Sequence, residues 1–84
     1  VPMLNLYSKN GFFKNSTTLI GVTDFIDINK KYILYNIGRD IYFGKTNSKV
    51  MSKYTAAMDI KNLIIVSDTT FVVIYSNSLE VVTV

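Results

Sequence analysis

The sequence predicts a mainly β fold, a small antiparallel meander, barrel or sandwich of about six to eight short strands, with one short helix near residues 48–58. Three observations predict it. Ile, Val and Tyr dominate the apolar positions, and their branched or flat side chains suit a pleated surface while losing rotamer freedom in a helix. Apolar runs are short and recur along the whole chain. Turn formers stand between them, of the kinds that tolerate φ > 0 or hydrogen-bond their own backbone.

Taken in order, the apolar runs are Met3 to Tyr7, Thr17 to Val22, Phe25 to Ile28, Tyr32 to Ile37, Asp40 to Phe43, Leu63 to Ser67, Phe71 to Tyr75 and Leu79 to Val84. Ser8-Lys9-Asn10-Gly11 follows the first run. Asn29-Lys30-Lys31 and Ile37-Gly38-Arg39 separate the middle ones, and Asp68-Thr69-Thr70 and Ser76-Asn77-Ser78 divide the last three. Connections this short join strands as antiparallel hairpins. Period-2 alternation sets Ile26 and Ile28 against Phe25 and Asp27, and Ile33, Tyr35 and Ile37 against Tyr32, Leu34 and Asn36, so neither face of the middle strands is wholly polar. Leu63-Ile64-Ile65-Val66 and Phe71-Val72-Val73-Ile74 are apolar on both faces, and strands of that kind call for cover on both sides. Between the halves, Val50, Met51, Tyr54, Ala57 and Met58 fall on one helical face behind Ser48 as N-cap, which is the basis for the helix. The sequon Asn15-Ser16-Thr17 is expected to be a turn.

At 84 residues the chain suits one domain over residues 1–84. Such a domain buries only ~60–65% of the surface its unfolded chain exposes. A hydrophobic fraction of 49% and a net charge of +3 exclude a disordered segment. No apolar run approaches the ~20 residues of a membrane helix, so no membrane span is expected. The opening Val1-Pro2 fits a processed or excised piece of a longer chain, and the lack of any disulfide framework fits a cytoplasmic protein.

The chain holds no His and no Cys, which removes the commonest general base, metal ligand and thiolate nucleophile. Neither catalysis, a metal nor a cofactor is expected of it alone. Its acids are Asp24, Asp27, Asp40, Asp59, Asp68 and Glu80, and Asp24 and Asp27 at i, i+3 point to opposite faces of a strand. They are assigned to solvated turns and strand ends. The glycines Gly11, Gly21, Gly38 and Gly44 make no phosphate loop and are assigned to turns or bulges. Lys30, Lys31 and Arg39 flank a hairpin carrying Tyr32, Tyr35 and Tyr42, and cations interleaved with aromatics on a sheet suit single-stranded nucleic acid. The candidate contacts are Lys30, Lys31, Tyr32, Arg39 and Tyr42.

From Leu19 to Val82 the chain resembles the β-rich segment after the catalytic domain of bacterial mannose-1-phosphate guanylyltransferases. That segment runs as a Gly, an apolar strand, an Asp, a small turn and an aromatic or apolar strand, then an Ala-containing stretch and two strands rich in Leu, Val and Ile. Gly21 to Tyr35 supplies the first part, and Ala56 to Ile74 the second. The chain is longer than the family between Tyr35 and Ala56. The family's catalytic residues lie in the domain that precedes this segment, so none is carried over. The resemblance implies a non-catalytic accessory module serving packing and association.

Two further readings stand beside it: a stand-alone small β protein acting by protein–protein binding, and the nucleic-acid binder. For association the expected interface is the hairpin Leu63, Ile64, Ile65, Val66, Phe71, Val72, Val73 and Ile74, one face forming the core and the other meeting a second copy or a neighbouring domain.

Overall fold

The computed structural model describes residues 2–46, 48 and 50–84. Among them nine strands follow in chain order: β1 (Met3–Tyr7), β2 (Phe13–Thr18), β3 (Phe25–Ile28), β4 (Tyr32–Ile37), β5 (Asp40–Lys45), β6 (Ser52–Thr55), β7 (Asn62–Ile65), β8 (Thr70–Ile74) and β9 (Leu79–Thr83). Each pairs antiparallel with its sequence neighbour. The result is a meander in three sheets, a hairpin β1-β2, a central sheet β3-β4-β5-β6 and a C-terminal sheet β7-β8-β9, none of them closed into a barrel. Five turn clusters fall where the turn formers stand, and Gly11 and Gly38 adopt φ of 87° and 60°, conformations open to glycine without a Cβ penalty.

The helix expected near 48–58 does not form. Its centre is β6, laid along β5 with Asp40 opposite Thr55 and Tyr42 opposite Lys53. Alternation wins there over the helical spacing, because an isolated helix of this length is marginal in water while the free edge of β5 offers backbone partners. Tyr54 turns inward onto Phe71, with ring centroids 5.4 Å apart, and Met51 packs on the opposite face of the sheet. The second apolar run is also displaced. Pairing with β1 takes residues 13–18, so the sequon's backbone lies within β2 and not in a turn, and Leu19 leaves the strand to cover the central sheet while Ile20 stays exposed. Gly44 sits within β5, where a Cβ would lie 2.7 Å from Met51 Sδ and 2.9 Å from the Val50 carbonyl oxygen. Its role is close approach, not a turn or bulge.

The central strand β4 is enclosed on both faces: Ile33, Leu34, Tyr35 and Asn36 are each at most 1% exposed. On one face Leu34, Ile41 and Phe43 meet Leu63, Phe71 and Val73 of the C-terminal sheet, and Ala56 and Ile60 close the end of this cluster. On the other, Ile33 and Tyr35 pack with Leu19, Leu4 and Met51. Tyr35 stacks on Tyr42 at 5.3 Å, and its hydroxyl accepts a hydrogen bond from the Ile20 N–H. Asn36 is buried yet satisfied, its Oδ1 accepting from Phe25 N–H at 3.0 Å and its Nδ2 donating to the Gly38 carbonyl at 2.9 Å.

Candidate functional site

The C-terminal sheet has one covered and one bare face. Strand alternation turns Leu63, Ile65, Phe71 and Val73 toward the central sheet, and Phe71 meets Phe43 with centroids 5.3 Å apart. Ile64, Val66, Val72 and Ile74 turn the other way. In register, Ile64, Val72 and Val81 form one row across the three strands, and Ile74 and Leu79 sit side by side in the next. Exposures of 42% at Ile64, 60% at Leu79 and 63% at Val81 mark this face as apolar and open, with no charged side chain among these residues.

Its two edges differ. At β7 the outward N–H groups of Leu63 and Ile65 donate to side chains, Leu63 to Asn62 Oδ1 at 2.8 Å and Ile65 to Asp27 Oδ2 at 2.7 Å. Asp27 therefore stitches the central sheet to the C-terminal one, where a merely solvated carboxylate was expected. At β9, among the described residues, nothing pairs with the outer edge. Glu80, opposite Val73, faces the covered side and accepts a short hydrogen bond from the Tyr75 hydroxyl. Burial pushes the Tyr75 phenol above its ordinary value of 10.0, and the bond to the Glu80 carboxylate adds to the rise. The outer face of β9 thus carries no charge, and its one acidic side chain, Glu80, lies on the other face.

Lys30, Lys31 and Tyr32 come together as expected. Asn29 Oδ1 accepts from the N–H groups of Lys31 at 2.9 Å and Tyr32 at 2.7 Å, which fixes the turn and holds both lysines at one end of the molecule. Arg39 and Tyr42 do not join them. Arg39 lies at the far end of β4, paired with Asp59 at 3.1 Å, and Tyr42 is on the Tyr35 side of the sheet. Lys45 joins instead, because it stands opposite Tyr32 in the β4–β5 register. Among the described residues no three acidic side chains cluster as metal ligands. Asp24, like Asp27, serves the backbone, its carboxylate accepting from Gly38 N–H at 3.0 Å.

The chain matches no family model, and no curated protein or solved structure is significantly similar to it. Geometry alone selects the site. Alternation within β9 misleads, since the spacing of Leu79 and Val81 around Glu80 suggests that the two apolar side chains face the core. The reverse orientation follows from the β8–β9 register, which a single sequence does not display.

Proposed function

We propose that the chain is a non-catalytic association module that pairs with a second copy of itself through the open edge of β9. The observation that carries this reading is the contrast between the edges of one sheet: β7 is closed by Asn62 and Asp27, and β9 is left open beside an uncharged apolar face. Strands of four, five and five residues give that face roughly 220 Å², well short of the ~800 Å² per partner of a stable specific interface. The face alone is too small, so main-chain bonds along the edge must contribute. Antiparallel pairing of two β9 strands about Val81 sets Val81 against its copy, Glu80 against Val82 and Leu79 against Thr83. No like charges meet. The resemblance of Leu19 to Val82 to an accessory segment of sugar nucleotidyltransferases supports the same role, as does a residue inventory without imidazole or thiol.

Sedimentation equilibrium up to about 1 mM, a range that captures weak dimers, tests the proposal. Dimerisation of the wild type, lost in Val81→Lys without a change in thermal melting, is the expected result. A wild type that stays monomeric throughout, or a Val81→Lys chain that still dimerises, overturns it. Binding only to an adjoining domain supplied in trans would assign the edge to that domain instead of to a second copy.

A further inference from the structure

A second surface lies at the end of the molecule where the β3–β4 turn, the end of β5 and the tip of the β1–β2 hairpin meet. Two clefts of about 480 Å³ each share Lys30 and Thr46 and so run together as one groove. Lys14 and Tyr7 line one half, and Lys31, Lys45 and Tyr32 the other. Residues far apart in sequence meet here through register: Tyr32 opposes Lys45, and the Thr46 N–H donates to the Lys31 carbonyl at 2.9 Å.

Four of the nine cationic side chains therefore border one groove, against a single lining acid, Asp68. Among the described residues the ion pairs engage Arg39 with Asp59 and Lys53 with Asp40, and none engages these four lysines. Mutual repulsion of unpaired cations opposes their gathering, and an anionic ligand would relieve it. An aromatic ring stands in each half. Tyr32 is held by stacking on Phe43 at 5.4 Å, while Tyr7 is 58% exposed and steadied by an edge contact to Phe13.

We infer that this groove binds single-stranded nucleic acid, its lysines along the phosphates and Tyr7 under a base. Cations lining a channel with aromatics suit a strand that offers charge and π faces in alternation. A lipid surface would instead call for cations around a flat apolar face. The inference is independent of the β9 edge, which lies on another sheet.

Fluorescence anisotropy with a labelled 12-nucleotide oligo-dT, titrated across salt concentrations, tests it on the full chain. The expected log–log salt slope is about −3 for four neutralised phosphates, and Lys30→Ala or Lys45→Ala should lower its magnitude by about 0.7 each. Tyr7→Ala should weaken binding about tenfold at unchanged slope. Lys53→Ala, the same charge loss away from the groove, serves as the control, and melting curves confirm that each variant is folded. No binding at low salt overturns the inference. So does an equal loss in Lys53→Ala and Lys30→Ala, which would leave only net charge. Binding to phosphatidylserine vesicles without binding to oligo-dT would overturn it in favour of a lipid surface.

Discussion

The central and C-terminal sheets are built from similarly apolar strands and meet opposite fates. In the sequence, β7 and β8 are the segments apolar on both faces, whereas β4 carries Asn36 and two tyrosines. Yet β4 is the strand enclosed on both sides, and β7 to β9 leave one side open at Ile64, Leu79 and Val81. Position in the meander decides this. Strand β4 has the β1–β2 hairpin on one face and the C-terminal sheet on the other to supply two layers, while among the described residues nothing lies over the outer face of the C-terminal sheet. Enclosure is thus a property of topological rank, and apolar composition marks where cover is wanted without ensuring that it exists.

The sharpest way to break the contrast is truncation on each side of it. Leu34→Ala and Phe71→Ala, both fully buried, should each cost about 3–5 kcal/mol in urea unfolding, comparable to the whole stability of a small domain. A cost below ~1 kcal/mol at either would show that the two-layer core is not what stabilises the fold. Next comes a pair of adjacent residues on opposite faces. Ile65→Lys, which drives a charge toward the Phe71 cluster, should destabilise by about 3 kcal/mol, and Ile64→Lys should leave the midpoint within about 0.5 kcal/mol. Equal effects would mean that both faces are covered.

Removing the stitch between the sheets should have an intermediate effect. Asp27→Ala leaves the Ile65 N–H without its acceptor and should cost about 2 kcal/mol, with urea-induced unfolding as the measurement. The smallest effect concerns the rim of the covered face. Tyr75 has a folded-state pKa above 10.0, so the stabilisation it gives is full below that value and lost as pH rises through the raised one. Alkaline melts of the wild type should therefore fall more steeply than those of Tyr75→Phe; parallel curves would remove the phenol from the account.

Much of the fold is legible in the chain because the punctuation is local. Asn29, Gly38 and Ser76-Asn77-Ser78 each specify a tight turn by their own backbone chemistry, and the strands β1, β3 and β4 follow between such signals without displacement. Where local signals conflict, the sequence misleads. Val50 and Tyr54 satisfy a helical period and a strand period together, and the free edge of β5 settles the matter from a distance. The site is less legible still. Lys30, Lys31 and Tyr32 are neighbours in sequence and group on sight, but Lys14 and Lys45 reach the groove only through pairing, and nothing local separates them from Arg39. Likewise Asp27 has its partner 38 residues away.

That distance bears on how the chain folds. Every strand pairs with its immediate predecessor or successor, so hairpin closure requires only short loops and low entropic cost, the condition for rapid folding. The Asp27–Ile65 bond and the Phe43–Phe71 contact belong to a different class, formed only when two preassembled sheets collide. Docking is then the last step, and the C-terminal sheet is the last part to acquire its native neighbours. Substitutions at Asp27 or Phe71 should accelerate unfolding with little effect on the folding rate, whereas those in the Gly38 turn should slow folding. The last 20-odd residues would in that case be the first to detach under mild denaturant, releasing a three-stranded unit that bares both of its apolar faces to water at once.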